Sequence, residues 1–347
     1  MRILIVGGTG LISSELASAV AHAGHDLTLV TRGHSAVAAS AGAHTIHADA
    51  TDASAMRAAL RGPRLRGERF DAVVQFVAFD ADHVRDDVET FAPLTDHYVL
   101  IATSASYTTF DRFHPLTEDT KQENLFWRYA QRKAQAEHAL RESATTARLP
   151  FTIVRPAHTY GPSKIPAYTG NSAHPWTIVD RMRRGKDIII PGDGTSLWTI
   201  THARDVAAGI AGLLGNADAL GAAVHITSDE ALTWTGLYGA IASAAGLSAE
   251  QFAAQCVFVP SEAMIAAAPG QEGSIRGDKM HPAVYDTSLI KSLVPGWHAT
   301  VPFSQGVREA IAWHEADAAR QSVDQEANAM FDRLGEIYRR ALADAGQ

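Results

Sequence analysis

Tyr129 and Lys133 stand four positions apart in RYAQRK, residues 128–133, and share one face wherever that segment is helical. An ammonium beside a phenol favours the phenolate, so the pair reads as a general acid or base whose tyrosine pKa is drawn down from about 10 towards the working range. The same lysine can hold ribose hydroxyls. A further hydroxyl comes from ATSASYT, residues 102–108, at the end of an apolar run. There it would meet the crevice that opens at the carboxyl edge of a parallel sheet. Ser104 is the residue expected to hydrogen-bond a substrate oxygen, with Thr103 and Ser106 as neighbours able to substitute for it or orient it. A phenol, an ammonium and a hydroxyl of this kind suit proton transfer at an oxygen that changes between alcohol and carbonyl, with developing charge met by preset donors.

Such chemistry needs a hydride carrier, and the chain opens on a turn that suits one. In VGGTGLISSEL, residues 6–16, a G-x-x-G-x-x-G turn is interrupted by Ser13 at its third glycine. Gly7 permits the tight turn, Gly10 lets the backbone approach a pyrophosphate, and Thr9, Leu11 and Ile12 lie where a helix begins and offers free N–H groups and its positive dipole end. The third glycine serves close packing, which a small serine should tolerate. The second apolar run ends LVTRG, 29–33, with Thr31 and then Arg32 where an acidic residue would accept from a ribose diol. A guanidinium suits a 2′-phosphate better, so the reading leans to NADP(H) over NAD(H). Asp49, followed by Ala50, is placed to accept from an adenine amino group.

The elements that must position these residues alternate regularly. RILIVG (2–7), DLTLVTR (26–32), HTIHAD (44–49), DAVVQFVAF (71–79), HYVLIATSAS (97–106) and PFTIVRP (150–156) read as strands. Their near-continuous apolarity indicates strands covered on both faces. Amphipathic stretches such as 11–23 and 127–146 are long enough for crossover helices. After residue 157 the texture changes: 188–215 reads as strand, turn, strand and helix, and a helical tail starts near 303. The expectation is a doubly wound, mostly parallel α/β sheet of seven strands with a smaller substrate-binding part. Residues 1–156 would bind the dinucleotide, with 188–215 returning to that domain. Residues 157–187 and 216–302 would face the substrate, and 303–347 would form the tail.

With these residues in place, the chain resembles the extended short-chain dehydrogenases/reductases of the NAD(P)-dependent epimerase/dehydratase type, over essentially its whole length. The glycine turn, Asp49, the small residues Val77 and Ala78 in QFVAF, and Ser104, Tyr129 and Lys133 all match that family's pattern, with Ser104 and Tyr129 separated by 129 − 104 = 25 positions. RPAHTYGP, 155–162, corresponds to R-P-x-N-x-Y-G-P, which implies that Pro156 and His158 lie near the nicotinamide. PGDGTSLWTITHARDVA, 191–207, corresponds to the G-D-G … D-V-A block. The resemblance implies a Ser104–Tyr129–Lys133 triad, a Rossmann-type fold, and a homodimer formed through the helix bearing Tyr129 and its neighbour. It also has departures. Trp198 replaces the arginine that holds a sugar nucleotide's diphosphate, and His158 replaces an asparagine. Ala105 and Ser106 stand where a dehydratase carries an acidic pair. Arg276, in RGD, resembles a second diphosphate arginine and is a candidate anion contact. Tyr168, Asn171 and His174 belong to a loop that could cover the substrate.

Composition narrows the remaining classes. The chain has 347 residues, 46% hydrophobic, enough for a large core, and a single cysteine, Cys256. One cysteine excludes an intramolecular disulfide framework and fits a reducing, cytoplasmic compartment. The apolar start reads as a buried strand, and no run reaches the roughly 20 residues of a membrane helix. A formal net charge of −8 argues against nucleic acid as the main partner, although Arg181, Arg183, Arg184 and Lys186 form a local basic group. The 16 histidines show no ligand spacing, so no metal is expected. Trp127, Trp176, Trp234, Trp297 and Trp313 are expected to pack. Two functions stay open: an oxidoreductase or epimerase acting on a sugar or sugar-like carbonyl compound, or a non-catalytic nucleotide- or RNA-binding protein on the same scaffold. One branch of the resembled family comprises chloroplast stem-loop RNA-binding proteins.

Overall fold

The computed structural model describes residues 1–33, 42–61, 69–108, 115–170 and 173–346. Its central sheet holds β1 (Arg2–Val6), β2 (Asp26–Thr31), β3 (His44–His47), β4 (Ala72–Gln75), β5 (Tyr98–Ile101) and β6 (Phe151–Pro156). The seventh strand is contributed from further along the chain. Numbering onward, β7 is His158–Tyr160, β8 Ile188–Pro191, β9 Leu197–His202 and β10 Ala223–Ile226. The sheet order is β10-β6-β5-β4-β1-β2-β3, with every neighbouring pair parallel. Ile3 sits beside Leu27 on one side and Ala72 on the other. The chain therefore winds outward through β2 and β3 and then crosses back to β4, so strand order reverses between β1 and β4. That reversal opens a crevice beyond the carboxyl ends of the two strands.

Ile3, Leu4, Ile5 and Val6 are all fully buried, as expected for strands covered on both faces. On one face lie the helices α1 (Leu11–His22) and, from late in the chain, Ala203–Leu213, which packs on α1. Leu16, Val20, Val206 and Ile210 meet the sheet there. On the other face lie α2 (Ala53–Leu60), α3 (Ala81–Phe91) and α4 (Arg128–Ala147), through Met56, Val84, Val88, Ala136 and Leu140.

Two strands end earlier than their apolar runs suggest. β4 stops at Gln75 because that side chain leaves the ladder: its Oε1 accepts from Val77 N at 2.9 Å, and its Nε2 donates to the buried Asp87 at 2.8 Å. β5 stops at Ile101, and Thr103 accepts from Ala105 N through its hydroxyl to cap the short turn Ser104–Ser106. Both departures build the rim of the crevice.

A second layer gathers around Tyr160, Trp198, Trp234 and Phe303. In it, β9 lies between β7 and β11 (Ala231–Thr233), and β8 pairs with β12 (Cys256–Val259). The segment 188–215, expected to rejoin the nucleotide-binding part, thus divides. Its strands belong to the small sheets, while its helix lies on α1. The tail forms two helices, Phe303–Glu315 and Gln325–Ala345, and the second packs on β8 and β12. Among the described residues no helix is long and apolar enough to cross a membrane.

Candidate active site

The first turn is shaped by sterics. Gly7 has φ +88°, and a Cβ there would lie 2.7 Å from Cγ1 of Val77, so neither the conformation nor the space admits a side chain. Ser13 tightens the turn. Its Oγ donates to the Gly7 carbonyl at 2.7 Å and accepts from Gly10 N at 2.8 Å. The serine is therefore more than a tolerated replacement, because it links both remaining glycines to the first turn of α1.

Gly7, Thr9, Gly10, Leu11 and Ile12 form the floor of a cavity of about 650 Å³ at the sheet's switch point. Thr31, Arg32, Asp49 and Ala50 border one end of it, and Ser104, Tyr129, Lys133, Pro156 and His158 the other. The Asp49 carboxylate accepts from Thr51 N at 2.9 Å and from the Thr51 hydroxyl at 2.7 Å. These hydrogen bonds hold it below the ordinary carboxylate range, so it presents a fixed anionic acceptor. Val77 lines the wall. Ala78 does not; it is fully buried behind the wall, and its carbonyl is what reaches the site.

That carbonyl accepts from Lys133. The lysine is buried, donates from Nζ to Ala78 O at 2.8 Å and to Ile101 O at 2.6 Å, and lies 5.4 Å from the centre of the Phe79 ring. Burial pushes its pKa down to about 8, against the opposing pull of Glu137. Tyr129 hydrogen-bonds the Thr103 side chain, yet its phenol is held above the ordinary tyrosine value, first by burial and then by the negative charge of Asp278. This corrects the expectation of a phenol drawn down by Lys133. The ammonium is turned into two backbone carbonyls, and the local charge that acts on the phenol is a carboxylate.

Helix α4 cannot rotate freely. Glu137, one turn beyond Lys133, accepts from Arg155 Nε at 3.0 and 3.1 Å and from Nη2 at 2.6 Å, and both side chains are buried. This pair ties α4 to β6 and so fixes the face that carries Tyr129 and Lys133. Ser104 Oγ lies 3.0 Å from the hydroxyl of Tyr285. Tyr285 comes from 181 positions further along the chain, and nothing local to Ser104 signals it.

Other expected contacts move. Ser106 is fully buried; it donates to Thr103 O at 2.9 Å and accepts from Gln122 Nε2 at 2.8 Å, facing the core instead of a substrate. Tyr168 is fully buried, with its hydroxyl 2.7 Å from Ser261 Oγ and its ring edge-on to Trp234. Asn171 lies outside the described residues. Arg276 does not border the cavity; its guanidinium is held by Glu262 at 2.6 Å and by Glu272 at 2.8 Å. The residue of RGD that reaches the site is Asp278, buried at the cavity wall, 3.3 Å from Nε2 of His158.

A second cavity of about 460 Å³ continues from the first, sharing Trp127, His158, Thr159 and Lys164 with it. Trp198, Trp234, Tyr238 and Phe331 provide its aromatic surface, and His174 lies at its edge. Trp127 and Trp234, expected only to pack, thus also wall a cavity. Lys164 and Lys279 bring ammonium groups to its lining, and no sequence motif marks either.

The family model of the NAD dependent epimerase/dehydratase family matches residues 3–226. The chain belongs to this family. Among curated relatives it is 27% identical over 254 residues to the chloroplast stem-loop binding protein of 41 kDa b of Arabidopsis thaliana, covering 71% of this chain and 63% of that protein. It is 26% identical over 249 residues to 2′-dehydrokanamycin reductase of Streptomyces kanamyceticus, covering 71% of this chain and 67% of the reductase. The match thus spans less than two thirds of the chloroplast protein. Among solved structures, UDP-glucose 4-epimerase of Thermotoga maritima superposes with a TM-score of 0.71 at 17% identity, covering 91% of this chain and 99% of that one. At that identity the likeness speaks for the fold. A seven-stranded, Rossmann-like sheet is common to both.

Proposed function

We propose that this protein is an NAD(P)-dependent oxidoreductase or epimerase acting at a secondary alcohol or carbonyl of a sugar-like substrate, with Ser104, Tyr129 and Lys133 as its catalytic residues. The observation that carries this reading is that all three border the same cavity as the Gly7–Ile12 turn. The turn suits a dinucleotide: Gly7, at φ +88°, lets the chain close tightly, and Gly10, Leu11 and Ile12, at the start of α1 where N–H groups lack helical partners, border the cavity. Gly7, Thr9, Gly10, Leu11 and Ile12 would hold the pyrophosphate, Asp49 and Ala50 the adenine end, and Val77, Pro156 and His158 the nicotinamide end. A bound dinucleotide supplies the hydride donor or acceptor. Tyr129 moves the proton at the substrate oxygen, and Ser104 donates a hydrogen bond to that oxygen, its own hydroxyl oriented by Tyr285. Lys133, held by two carbonyls, has a third N–H for a ribose hydroxyl. In this reading residues 1–156 bind the dinucleotide, and the substrate enters from the side of 157–187 and 216–302.

Thr31 and Arg32 at the far end support a preference for NADP(H) over NAD(H). A homodimer through α4 belongs to the same proposal, with sedimentation equilibrium as its check.

The alternative is a stem-loop-binding protein on this scaffold, for which the Arabidopsis relative speaks. Against it, the basic group at 181–186 is already paired: Arg181 and Lys186 with Asp332, Arg183 with Glu315, and Arg184 with Asp180. One experiment separates the two. The purified protein is denatured, released dinucleotide is identified by mass spectrometry, and the stripped protein is titrated with NADPH and NADH and then assayed on a panel of carbonyl compounds. Turnover with either dinucleotide supports the enzyme. Dinucleotide binding without turnover, together with salt-sensitive retention of a stem-loop RNA, would replace it with the binder. Tight retention of oxidised dinucleotide would mark an epimerase that recycles its hydride, and ready exchange of NADPH a reductase.

A further inference from the structure

The second cavity combines aromatic walls with positive charge. Its charged lining side chains are Lys164, Arg181 and Lys279, and no aspartate or glutamate among the described residues borders it, although the chain as a whole has a formal net charge of −8. The three cations are not equivalent. Arg181 is fully engaged: it donates to Asp187 O at 2.8 and 3.2 Å and to Asn328, and pairs with Asp332 at 2.9 Å. Lys279 donates to the carbonyls of Ala167 at 3.2 Å and Tyr168 at 2.6 Å, which leaves one N–H. Lys164 borders both cavities, and its ammonium has no side-chain or carbonyl partner among the described residues. Lys164 is half-buried, so its ammonium faces the cavity unspent on the protein and is available to an arriving anion.

We infer that the second cavity binds the substrate as a compact, ring-bodied organic anion, its single carboxylate or phosphate monoester held by Lys164 and the spare N–H of Lys279, and its ring lying against Trp127, Trp198 and Trp234. The inference rests on the proposed redox reading, since it supplies the substrate class of that same site. Two features set the class apart from a nucleoside diphosphate. The position expected to grip a diphosphate carries Trp198, which is buried against His158 and Trp234 at ring-centre separations of 4.6 and 5.3 Å. Arg276, the other expected diphosphate contact, is turned away into Glu262 and Glu272. One free ammonium and one spare N–H match one anionic group, and an indole surface suits the apolar face of a ring. Polycationic ligands are disfavoured by the same charge.

The test uses the full chain loaded with its dinucleotide and measures binding by tryptophan fluorescence and calorimetry. The probes are glucuronate and glucose 6-phosphate, with neutral glucose as the matched control and UDP-glucose as the extended anion. The expected result is that at least one compact anion binds about tenfold or more tightly than glucose. Lys164→Met should abolish that preference and Lys164→Arg should restore most of it, with melting temperature reporting that both variants fold. Tighter binding of glucuronate identifies a carboxylate, and of glucose 6-phosphate a phosphate ester. Compact anions that bind no better than glucose, including no binding at all, would overturn the inference, as would wild-type preference in Lys164→Met or UDP-glucose outbinding both compact anions. Because binding needs no turnover, Lys164-dependent binding without hydride transfer would leave this inference standing and remove the redox reading. Turnover of neutral carbonyl compounds indifferent to Lys164 would do the reverse.

Discussion

The dinucleotide end of the cleft is built around one local segment, the turn from Gly7 to Ile12, with Arg32 and Asp49 at its far end, whereas the second cavity is walled by side chains from segments as distant as Trp127 and Phe331. A glycine turn meets a ligand by shape and by N–H groups that every residue owns, so at Gly7 and Gly10 its main sequence requirement is the absence of side chains. A side-chain wall recognises by chemistry, and its residues can be exchanged without disturbing the sheet. Tyr129, Thr103, Ser104 and Asp278 border the first cavity, which shares Trp127, His158, Thr159 and Lys164 with the second. This division suggests a scaffold that keeps one carrier and varies what it acts upon.

The largest effect should come from the first cavity. In the proposed mechanism Tyr129 moves the proton, so Tyr129→Phe, which removes only its hydroxyl, should lower turnover by about 10²–10⁴-fold. Dinucleotide affinity, measured by titration, should stay within about twofold, because the glycine turn is untouched. Full activity in this variant would end the proposed mechanism and, with it, the idea that the chemistry is lodged in the first cavity.

Gly7→Ala tests the glycine turn alone. The new methyl must enter 2.7 Å from Val77 Cγ1 at φ +88°, a conformation and a contact that together cost about 1–3 kcal/mol. Dinucleotide affinity should fall about tenfold or more, while binding of a ligand in the second cavity, followed without dinucleotide, should change little. A loss confined to the second cavity would break the comparison.

The contrast also explains what could be read in advance. The turn at 7–13, the parallel sheet and the spacing of Ser104, Tyr129 and Lys133 are legible because each depends on residues close in sequence or on strand periodicity. In the sequence Ser13 reads as harmless, and the structure shows why a serine is useful: its hydroxyl reproduces in side-chain bonds the closeness that a glycine would allow. Tyr285, Asp278, Lys164 and Lys279 are not legible as site residues: Lys164 and Tyr285 lie outside the regular elements, and Asp278 and Lys279 sit in a single short π-helical turn, Ile275–Lys279, too brief for periodicity to mark. RGD did signal the right place, but its arginine drew the attention that belonged to its aspartate. The early ends of β4 and β5 were hidden for a related reason, because Gln75 and Thr103 turn the chain with side-chain bonds that an apolar run does not reveal.

A smaller, directional effect is expected at Asp278. Its charge is one cause of the raised Tyr129 pKa, burial being the larger. Oxidation of an alcohol needs the phenolate, so its rate should climb with pH into the alkaline range, while reduction, which needs the phenol, should be level through neutrality. Asp278→Asn removes a negative charge that penalises the phenolate, so the rising limb of the oxidation profile should move to lower pH. A limb that stays in place, or moves up, would show that Asp278 serves His158 or Lys279 and not the phenol.

Arg276→Ala should have the smallest effect, and its smallness is what sharpens the comparison. Sequence reasoning offers this guanidinium as a ligand contact, and its half-buried position two residues before Asp278 makes the offer plausible. Yet every donor group it directs is spent within its own neighbourhood: Nη1 and Nη2 on the two oxygens of Glu262, each at 2.6 Å, and Nε on Glu272 at 2.8 Å. Releasing it would strip two carboxylates of their partner in order to serve a third, an exchange with little to gain in water. Substrate and dinucleotide affinities should therefore stay within about twofold, with at most a slight fall in melting temperature. A large rise in KM would mean that the arginine swings from its two glutamates to a ligand, and that the charge selecting the substrate is assembled on binding instead of standing ready at Lys164.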